Sequence, residues 1–356
     1  MTGNKNKKVA VALSGGVDSS VTALLLKNQG YEVVGITGKM VDDENFETVC
    51  QNAKKVADKL EIKHYILDLS EDFKKNIIDY FIDSYKNGET PNPCIVCNRT
   101  IKWGKILDYA INELGCDYIA TGHYASIKEV DGQFLLYPAK DEKKDQLYYL
   151  YELNQEQLSK TILPLSGMEK TQIRQIAQKN DLPSKSSKES QDICFIKKPY
   201  TTKKFLLEHI KPQKGDFVME KTGEKIGVHQ GAFQYTKGQR KGIGIAYSEP
   251  LYVTKTDTKN NIVYCGIKEE LLSDSLTLSD FNWHDKDFKG GECLVKIRYN
   301  MSAVKAEAIL NNTVGCGHYR PNINIKFKEP VSGITCGQAC VLYDKGDGHL
   351  IGGRKI

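Results

Sequence analysis

The chain has 356 residues, of which 40% are hydrophobic and 27% charged, and its formal net charge is +5. This length can form two or three globular units with their own cores, and the composition excludes disordered and fibrous classes. The mild positive charge permits a polyanionic partner but does not require one.

The sequence contains no run of about 18 apolar residues, so we predict no membrane span and no membrane partner. The N-terminal stretch through Lys8 is basic but has no apolar signal core, which favours a cytoplasmic location. Ten cysteines occur in the chain. In the cytoplasm they argue against a framework of structural disulfides and indicate redox, nucleophilic or metal chemistry at some of them.

The first half of the sequence alternates between strand and helix patterns. Short apolar runs predict buried parallel strands, and apolar residues at helical spacing predict the helices between them. In chain order we expect the following elements: strand 8–13, helix 19–29, strand 32–37, helix 46–60, strand 64–69, helix 73–85, a helix to about residue 114, strand 118–121, and helices 169–180 and 201–209. This order predicts an α/β fold with a doubly wound, Rossmann-like parallel sheet, whose ligands bind beyond the carboxyl ends of the strands.

The sequence pattern changes after Pro212, where short alternating runs are separated by glycine, asparagine and aspartate turns. Such runs predict β-rich structure. We therefore expect three domains: an α/β domain over 1–208, a small β-rich middle domain over 209–272 and a C-terminal β-barrel over 273–356.

A glycine- and serine-rich turn, Ser14-Gly-Gly-Val-Asp-Ser-Ser20, joins the first predicted strand to the first helix. Gly15 and Gly16 allow a tight backbone to approach a ligand, and the free N–H groups of the helix favour an anion. The serine hydroxyls add donors, and Asp18 is a candidate either to orient the loop or to hold magnesium. The turn lacks the Gly-Lys-Ser/Thr ending of a Walker motif, so it does not indicate ordinary NTPase chemistry.

Two cysteine motifs accompany this turn. Cys94 and Cys97 form a C-x-x-C on a proline-containing loop at a predicted helix N-terminus, where the helix dipole, Arg99 and Lys102 should lower a thiol pKa. Cys194 follows a polar loop and is the third candidate, although a single cysteine can equally be structural.

These motifs resemble a known family over nearly the whole chain. The first turn resembles the SGGxDS signature of the PP-loop ATP pyrophosphatases, which cleave ATP between the α and β phosphates and adenylate an oxygen. The chain as a whole is similar to the tRNA-specific 2-thiouridylase family, through SGGVDSS, TPNPCIVCNRTIKWG, ATGHYA, KKDQLYYLY, ESQDICFI, GAFQYTKGQRKGIG, KIRYN and GQACV.

The resemblance implies a cofactor, a substrate and a set of contact residues. ATP, with Mg²⁺, would be held by residues of the phosphate turn and two others: Ala12, Leu13, Ser14, Gly15, Gly16, Val17, Asp18, Ser19, Met40 and Gly122. The target base would be surrounded by Asn92, Pro93 and Cys94, with His123 beside the nucleotide and RNA. Further contacts to tRNA would come from Lys144, Asp145, Gln146, Arg298, Tyr299 and Gln338.

The resemblance also implies the chemistry, which is 2-thiolation of the wobble uridine in tRNAs of the glutamate, lysine and glutamine type. Cys194 would receive a persulfide from a sulfur-donor relay protein, and Cys97 would help to release the sulfur and end in a disulfide with Cys194. Adenylation makes the uridine oxygen a leaving group, and a persulfide is a sulfur nucleophile that can then attack carbon 2. DNA is not an expected partner.

One position departs from the pattern, because many family members carry aspartate where this chain has Cys94. Three cysteines, Cys94, Cys97 and Cys194, could instead hold an iron–sulfur cluster or a structural zinc ion. Two other functions remain open: a PP-loop synthetase acting on a small molecule, and an RNA-binding protein without catalysis.

Weaker signals lie towards the C-terminus. Cys336 and Cys340 are more typical of core or incidental cysteines than of catalytic ones, and Cys316 with His318 gives only a faint metal-pair pattern. The basic run from Gln234 to Gly242 fits a hairpin that contacts phosphate groups without reading sequence.

Overall fold

A computed structural model describes residues 6–41, 44–187, 193–196, 199–311 and 322–356. The chain divides into two compact units. The first consists of Met1–Ile77, Cys94–Gln191 and Asp347–Leu350, and the second of Ile78–Pro93, Asp192–Gly346 and Ile351–Ile356.

The first unit is built on a five-stranded sheet of order β3-β2-β1-β4-β7, whose strands pair in parallel. Its strands are β1 Lys8–Ala12, β2 Glu32–Lys39, β3 Lys63–Asp68, β4 Tyr118–Ala120 and β7 Thr161–Ile162, and the separate hairpin is β5 Ala125–Val130 with β6 Gln133–Pro138. Residues Val9, Ala10 and Val11 at the centre of β1 are all fully buried. A strand with no exposed face requires cover on both sides, so the predicted parallel α/β fold is confirmed.

Helices alternate with these strands as the sequence predicts, and two of the helices, Tyr80–Lys86 and Thr202–His209, belong to the second unit. The helices are α1 Val17–Asn28, α2 Glu44–Lys59, α3 Ser70–Phe73, α4 Tyr80–Lys86, α5 Pro93–Cys97, α6 Leu107–Asn112, α7 Gln155–Ser159, α8 Lys170–Lys179 and α9 Thr202–His209. Apolar residues of α1, α2 and α8 pack on β1 in one core, including Val21, Val56 and Ile173.

Two predicted helices differ from continuous α-helices. The helix expected over 73–85 contains a π-helical segment, Lys74–Asp79, and the one expected to end near 114 contains another, Asn98–Ile106. In a π-helix the backbone hydrogen bonds span five residues instead of the four of an α-helix, and such segments are frequent at functional sites. The second segment follows Cys97 directly, so the sulfur motif lies where helix geometry changes.

The second unit contains two β-sheets. The smaller has the order β10-β11-β8-β9, with β8 Gly215–Met219, β9 Lys225–His229, β10 Tyr252–Asp257 and β11 Ile262–Gly266. The larger is a curled antiparallel half-barrel of order β12-β16-β15-β14-β17-β18-β13. Its strands are β12 Leu272–Leu278, β13 Asn282–Trp283, β14 Gly291–Lys296, β15 Val304–Asn311, β16 Asn322–Ser332, β17 Ala339–Tyr343 and β18 Leu350–Lys355.

Short 3₁₀ helices complete the description: Leu147–Leu150, Ala232–Gln234 and Lys268–Leu271. The β-rich second half agrees with the predicted fold class, while the predicted domain limits at 208 and 272 stay predictions. In the described part of the chain, no helix combines the length and the apolar character that crossing a membrane requires.

Candidate active site

The phosphate turn lies between β1 and α1 and depends on two glycines. Gly15 has a φ of +69°, and a Cβ there would lie 2.8 Å from Cβ of Asn52 and 3.0 Å from the backbone N of Ala53. Gly16 occupies the N-cap of α1 and has no side chain to bind the first free N–H groups of that helix. These N–H groups therefore remain available to an anionic ligand at the positive end of a 12-residue helix.

Two serines hold the turn together. The hydroxyls of Ser19 and Ser20 donate to the carbonyl of Gly16 over 3.2 and 2.7 Å, and the backbone N–H of Ser14 donates to Ser19 Oγ over 3.2 Å. Ser20 is fully buried. Its hydroxyl braces the turn, so it does not serve as the ligand donor that the sequence suggested.

Asp18, in the first turn of α1, is the centre of a polar network. Lys170 Nζ lies 2.7 Å from both carboxylate oxygens of Asp18, and the hydroxyl of Tyr124 donates to Oδ1 over 2.8 Å. Of the two roles proposed for Asp18, this network supports orientation of the loop. Sequence reasoning missed Lys170, which lies 152 residues from its partner.

A second glycine contact brings the end of β4 against the phosphate turn. A Cβ on Gly122 would lie 2.8 Å from Cβ of Asp18 and 3.0 Å from the backbone N of Ser19. The backbones at Gly122 and at the start of α1 are therefore in direct contact, as expected where two strands end at the same edge of a sheet.

His123 follows this contact and has a defined protonation state. Lys102 Nζ lies 3.4 Å from His123 Nε2, and the hydroxyl oxygen of Thr121 lies 2.7 Å from Nδ1. Lysine can only donate, so Nε2 accepts and Nδ1 carries the proton that is donated to Thr121. Desolvation and the nearby Lys102 charge hold the pKa of His123 well below its usual value of 6.5, so the ring is neutral at physiological pH.

Cys94 and Cys97 lie on α5, the first turn of a helix that continues through the π-helical segment Asn98–Ile106 into α6. Cys94 is exposed, and Cys97 is partly buried. Desolvation raises the pKa of the Cys94 thiol, and the charge of Lys102 only partly opposes this effect. The prediction of a lowered pKa is therefore wrong for Cys94, because desolvation of the thiol outweighs the charge of Lys102.

Cys194 lies in the second unit, in the short described segment 193–196. It is exposed, while Ile196 is buried with Phe81, Leu206 and Phe233, and Ile193 packs against the same cluster. The apolar neighbours thus fix the segment and leave the cysteine at the surface. Residues 188–192, which form most of the motif before it, lie outside the described residues.

Comparison with known proteins identifies the family. A profile described as tRNA methyl transferase HUP domain matches residues 7–198, and profiles described as tRNA methyl transferase PRC-barrel domain and Aminomethyltransferase beta-barrel domain match 203–267 and 273–356. The tRNA-specific 2-thiouridylase MnmA of Clostridium acetobutylicum is 40% identical over 366 residues, which cover 99% of each chain. Its counterpart in Carboxydothermus hydrogenoformans is 43% identical, covering 98% of this chain and 97% of that one. This chain belongs to the tRNA-specific 2-thiouridylase family.

The family resemblance found in the sequence is thereby confirmed. Among solved structures, the U34-tRNA thiolase NcsA from Methanococcus maripaludis with its 4Fe–4S cluster is 24% identical, with a TM-score of 0.36. That alignment covers 58% of this chain and 63% of the other.

The remaining predicted ATP contacts of this 2-thiouridylase family member lie around the same sheet edge. Leu13 and Val17 have buried side chains, and the Leu13 backbone is already bonded to β2 through Ile36 and Thr37. Ala12 ends β1, and Met40 comes one residue after β2. Whether these residues contact ATP stays a prediction.

Two residues that the family resemblance predicts as tRNA contacts in the first unit bind the protein's own backbone. The carboxylate of Asp145 accepts hydrogen bonds from the N–H groups of Ala139 and Leu147 over 2.9 and 3.1 Å. Gln146 Oε1 accepts from the N–H of Tyr124 over 3.1 Å. Gln146 thus supports the residue that binds Asp18, and Lys144 beside them is partly buried.

The predicted tRNA contacts in the second unit show the same behaviour. The guanidinium of Arg298 donates to the carbonyls of Gly333 and Lys237, and Gln338 Nε2 donates to the carbonyl of Thr90 over 2.7 Å. Tyr299 is partly buried. Whether these side chains also meet tRNA in this 2-thiouridylase family member stays a prediction.

The weaker cysteine signals divide in the structure. Cys340 is fully buried on β17, where desolvation raises its thiol pKa, and Cys336 is exposed. One cysteine is buried and the other exposed, which fits the expectation that the C-x-x-x-C is not a catalytic pair. Cys316 and His318 lie outside the described residues.

Proposed function

We propose that this protein catalyses ATP-dependent 2-thiolation of the wobble uridine in tRNAs of the glutamate, lysine and glutamine type. The main support for this proposal is the sequence identity of about 40% with proteins named tRNA-specific 2-thiouridylase, over 98–99% of the chain. That span includes the phosphate turn and all three candidate cysteines. The proposed setting is the cytoplasm, where ATP and tRNA are both present.

The first proposed step is adenylation at the phosphate turn. The free N–H groups at the start of α1 bind the ATP phosphates, and oxygen 2 of the uridine attacks the α-phosphorus. The bond to the β-phosphate oxygen breaks, and pyrophosphate leaves with that electron pair. The network of Asp18, Lys170 and Tyr124 keeps the turn rigid, so its N–H groups are oriented before ATP arrives.

The second proposed step transfers sulfur. A relay protein loads Cys194 as a persulfide, and the outer sulfur attacks carbon 2 of the adenylated uridine, expelling AMP. The thiolate of Cys97 then attacks Sγ of Cys194 and forms a Cys97–Cys194 disulfide. The electron pair of the broken S–S bond stays on the transferred sulfur, which becomes the 2-thio group. External thiols must reduce the disulfide before another turnover.

Lys102 suits this chemistry as a cation, and neutral His123 accepts a hydrogen bond from it. Neutral His123 donates from Nδ1 to Thr121, and the Lys102 ammonium lies beside its other nitrogen. The charge of Lys102 also partly opposes the rise that desolvation causes in the thiol pKa of Cys94. A cation at this position would stabilise negative charge that develops near the target base.

The side chains present do not favour either of the two inorganic groups that the sequence suggests. Asp18 does not fit as a magnesium ligand, because Lys170 and Tyr124 already occupy its carboxylate. An iron–sulfur cluster is normally held by four cysteine thiolates, whereas three candidates are available and the pKa of one of them is raised. The proposed steps therefore pass through neither group.

The decisive assay combines the protein with ATP, a persulfide donor and a tRNA transcript, and measures 2-thiouridine by mass spectrometry. We expect Cys194→Ser to abolish the product and the matched variant Cys50→Ser, on α2, to retain it. Product from Cys194→Ser at the normal rate would refute the mechanism. AMP formation without any tRNA would instead indicate a synthetase that acts on a small molecule.

A second variant tests how the sulfur is carried. Cys94→Asp places the residue common in the family at this position and removes one potential cluster ligand. The persulfide mechanism predicts that this variant stays active after aerobic purification. Loss of activity in Cys94→Asp, together with iron in the anaerobically purified parent protein, would establish a cluster.

A further inference from the structure

Thr90, four residues before Cys94, is hydrogen-bonded to a turn of the C-terminal sheet. The N–H of Thr90 donates to the carbonyl of Cys336 over 2.8 Å, and Gln338 Nε2 donates to the carbonyl of Thr90 over 2.7 Å. Both backbone groups of Thr90 are therefore bound by residues 336–338, which we call the clamp turn. All of these residues belong to the second unit.

Gly337 lets the two backbones meet between these hydrogen bonds. Its φ is +90°, and a Cβ there would lie 2.8 Å from the nitrogen of Thr90 and 2.9 Å from its carbonyl carbon and oxygen. The atoms in the way are backbone atoms, which cannot turn aside as a flexible side chain can. Only glycine satisfies both the conformation and the approach.

The clamp turn is itself braced from two directions. The N–H of Gly337 donates to the carbonyl of Ile356 over 2.9 Å, and the N–H of Ile356 donates to the carbonyl of Gln338 over 2.8 Å. Arg298 donates to the carbonyl of Gly333 and to the hydroxyl of Thr335 over 2.7 and 2.5 Å. These hydrogen bonds hold the backbone of the clamp turn in one conformation.

The two residues before Thr90 are anchored as well. Lys355 Nζ lies 2.6 Å from the carboxylate of Glu89, and the hydroxyl of Thr256 donates to the carbonyl of Gly88 over 3.2 Å. Three consecutive residues thus receive contacts from the β-sheets of the second unit. The backbone just before the cysteine motif is therefore held by several contacts within the second unit.

The geometry points to a positioning role for the clamp turn. Pro91 and Pro93 restrict the backbone between Thr90 and Cys94, so a displacement of Thr90 passes along the chain to the start of α5. We propose that Gly337 and Gln338 hold Thr90 so that Asn92, Cys94 and Cys97 are presented correctly for sulfur transfer. The effect on kcat for thiolation rests on the proposed function. The effect on hydrogen exchange around Thr90 does not.

The proposal separates two roles for Gln338. If its amide served mainly to bind tRNA, its loss would raise the KM or Kd for tRNA and leave kcat unchanged. A positioning role predicts the reverse: kcat falls while the Kd for tRNA is unchanged. It also predicts that residues 86–97 lose protection from hydrogen exchange even when no tRNA is present.

The experiment compares three variants of the full chain. Gln338→Met removes the donor without adding bulk, and Gly337→Ala forces the clamp turn away from Thr90. Gly291→Ala is the control, because its φ of +114° imposes similar backbone strain and nothing lies within 4 Å of the new Cβ. Hydrogen exchange of peptide 86–97, tRNA affinity and kcat for thiolation are measured for each.

We expect exchange at Thr90 to rise and kcat to fall by at least about tenfold in Gln338→Met and Gly337→Ala, because a partly buried carbonyl or N–H loses its partner. Gly291→Ala should match the parent protein in both. Unchanged exchange in both clamp variants, or a raised KM at normal kcat in Gln338→Met, overturns the proposal. If Gly337→Ala does not fold, Gln338→Met decides alone. A parent protein that makes no 2-thiouridine refutes the proposed function, while the exchange result still decides the clamp.

Discussion

The ion pair between Lys170 and Asp18 allows a quantitative test of how the phosphate turn is held. Lys170 Nζ lies 2.7 Å from both carboxylate oxygens, and the lysine and aspartate side chains are 11% and 31% exposed. Removing one partner of a fully buried ion pair costs about 3–5 kcal/mol. Because water reaches part of Asp18 and Tyr124 remains bound to it, we expect Lys170→Met to cost about 2–3 kcal/mol.

This loss should lower the Tm of the protein by roughly 3–4 °C in thermal unfolding. It should also weaken ATP binding by about tenfold or more in calorimetry, because an unneutralised carboxylate would face the incoming phosphates. Lys140→Met is the matched control: that lysine lies 3.8 Å from Glu169, and both side chains are 54% exposed. Exposed pairs of this kind contribute about 0–1 kcal/mol.

A double-mutant cycle isolates the pair itself. Asp18→Asn removes the charge that Lys170 neutralises, so the double variant should be more stable than the sum of the two single losses predicts. We expect a coupling free energy above about 1 kcal/mol. A coupling below about 0.5 kcal/mol, with ATP affinity unchanged in Lys170→Met, would refute the view that this network organises the turn.

Three other predictions concern the first unit. Gly122→Ala should destabilise the protein by about 1–3 kcal/mol in urea unfolding and weaken ATP binding, because the new Cβ would collide with Asp18. The control Gly167→Ala, whose new Cβ has open space around it, should be neutral. Equal stability of the two variants would contradict this reasoning. Because the pKa of His123 is held well below 6.5, the unfolded chain binds a proton below that pH which the folded chain does not, so stability falls as pH decreases. His123→Gln should show a smaller loss between about pH 7 and 5.5, and an identical loss would count against the assignment. Lys102→Met should raise the thiol pKa of Cys94 further, seen as an upward shift in the pH dependence of alkylation, and a downward shift would show that Lys102 does not act on this thiol.

The sheet of the first unit could be predicted because its signals are local. The runs Lys8–Ala12 and Glu32–Lys39 are apolar, short and bounded by turns, and both form strands close to the expected limits. The hairpin Ala125–Val130 with Gln133–Pro138 was not predicted, although a local signal for it exists. Asp131 and Gly132 both have positive φ, and an Asp-Gly pair is a strong signature of a two-residue hairpin turn.

Other features of the site have no local signal. Lys170 begins a helix that reads as an ordinary amphipathic segment, and nothing near it in sequence shows that its ammonium meets Asp18. The thiol pKa of Cys94 depends on the atoms packed around the sulfur, whereas the sequence showed only the helix start and the nearby cations. Charged residues near a cysteine in sequence predict the direction in which their charges shift its thiol pKa. Desolvation depends on the fold, and its effect on the pKa can be larger.

The polar residues shared with the family show why motif matching and contact prediction differ. Gln146, Arg298 and Gln338 lie in stretches that resemble the family, and the resemblance implies that all three touch tRNA. In the structure each binds the backbone of this chain, at Tyr124, Gly333 and Thr90. A buried carbonyl or N–H without a partner is costly, so a side chain that satisfies one is constrained as strongly as a side chain that binds substrate. Sequence resemblance therefore cannot separate residues that touch the tRNA from residues that hold the segments touching it, and only variants that split kcat from tRNA affinity can.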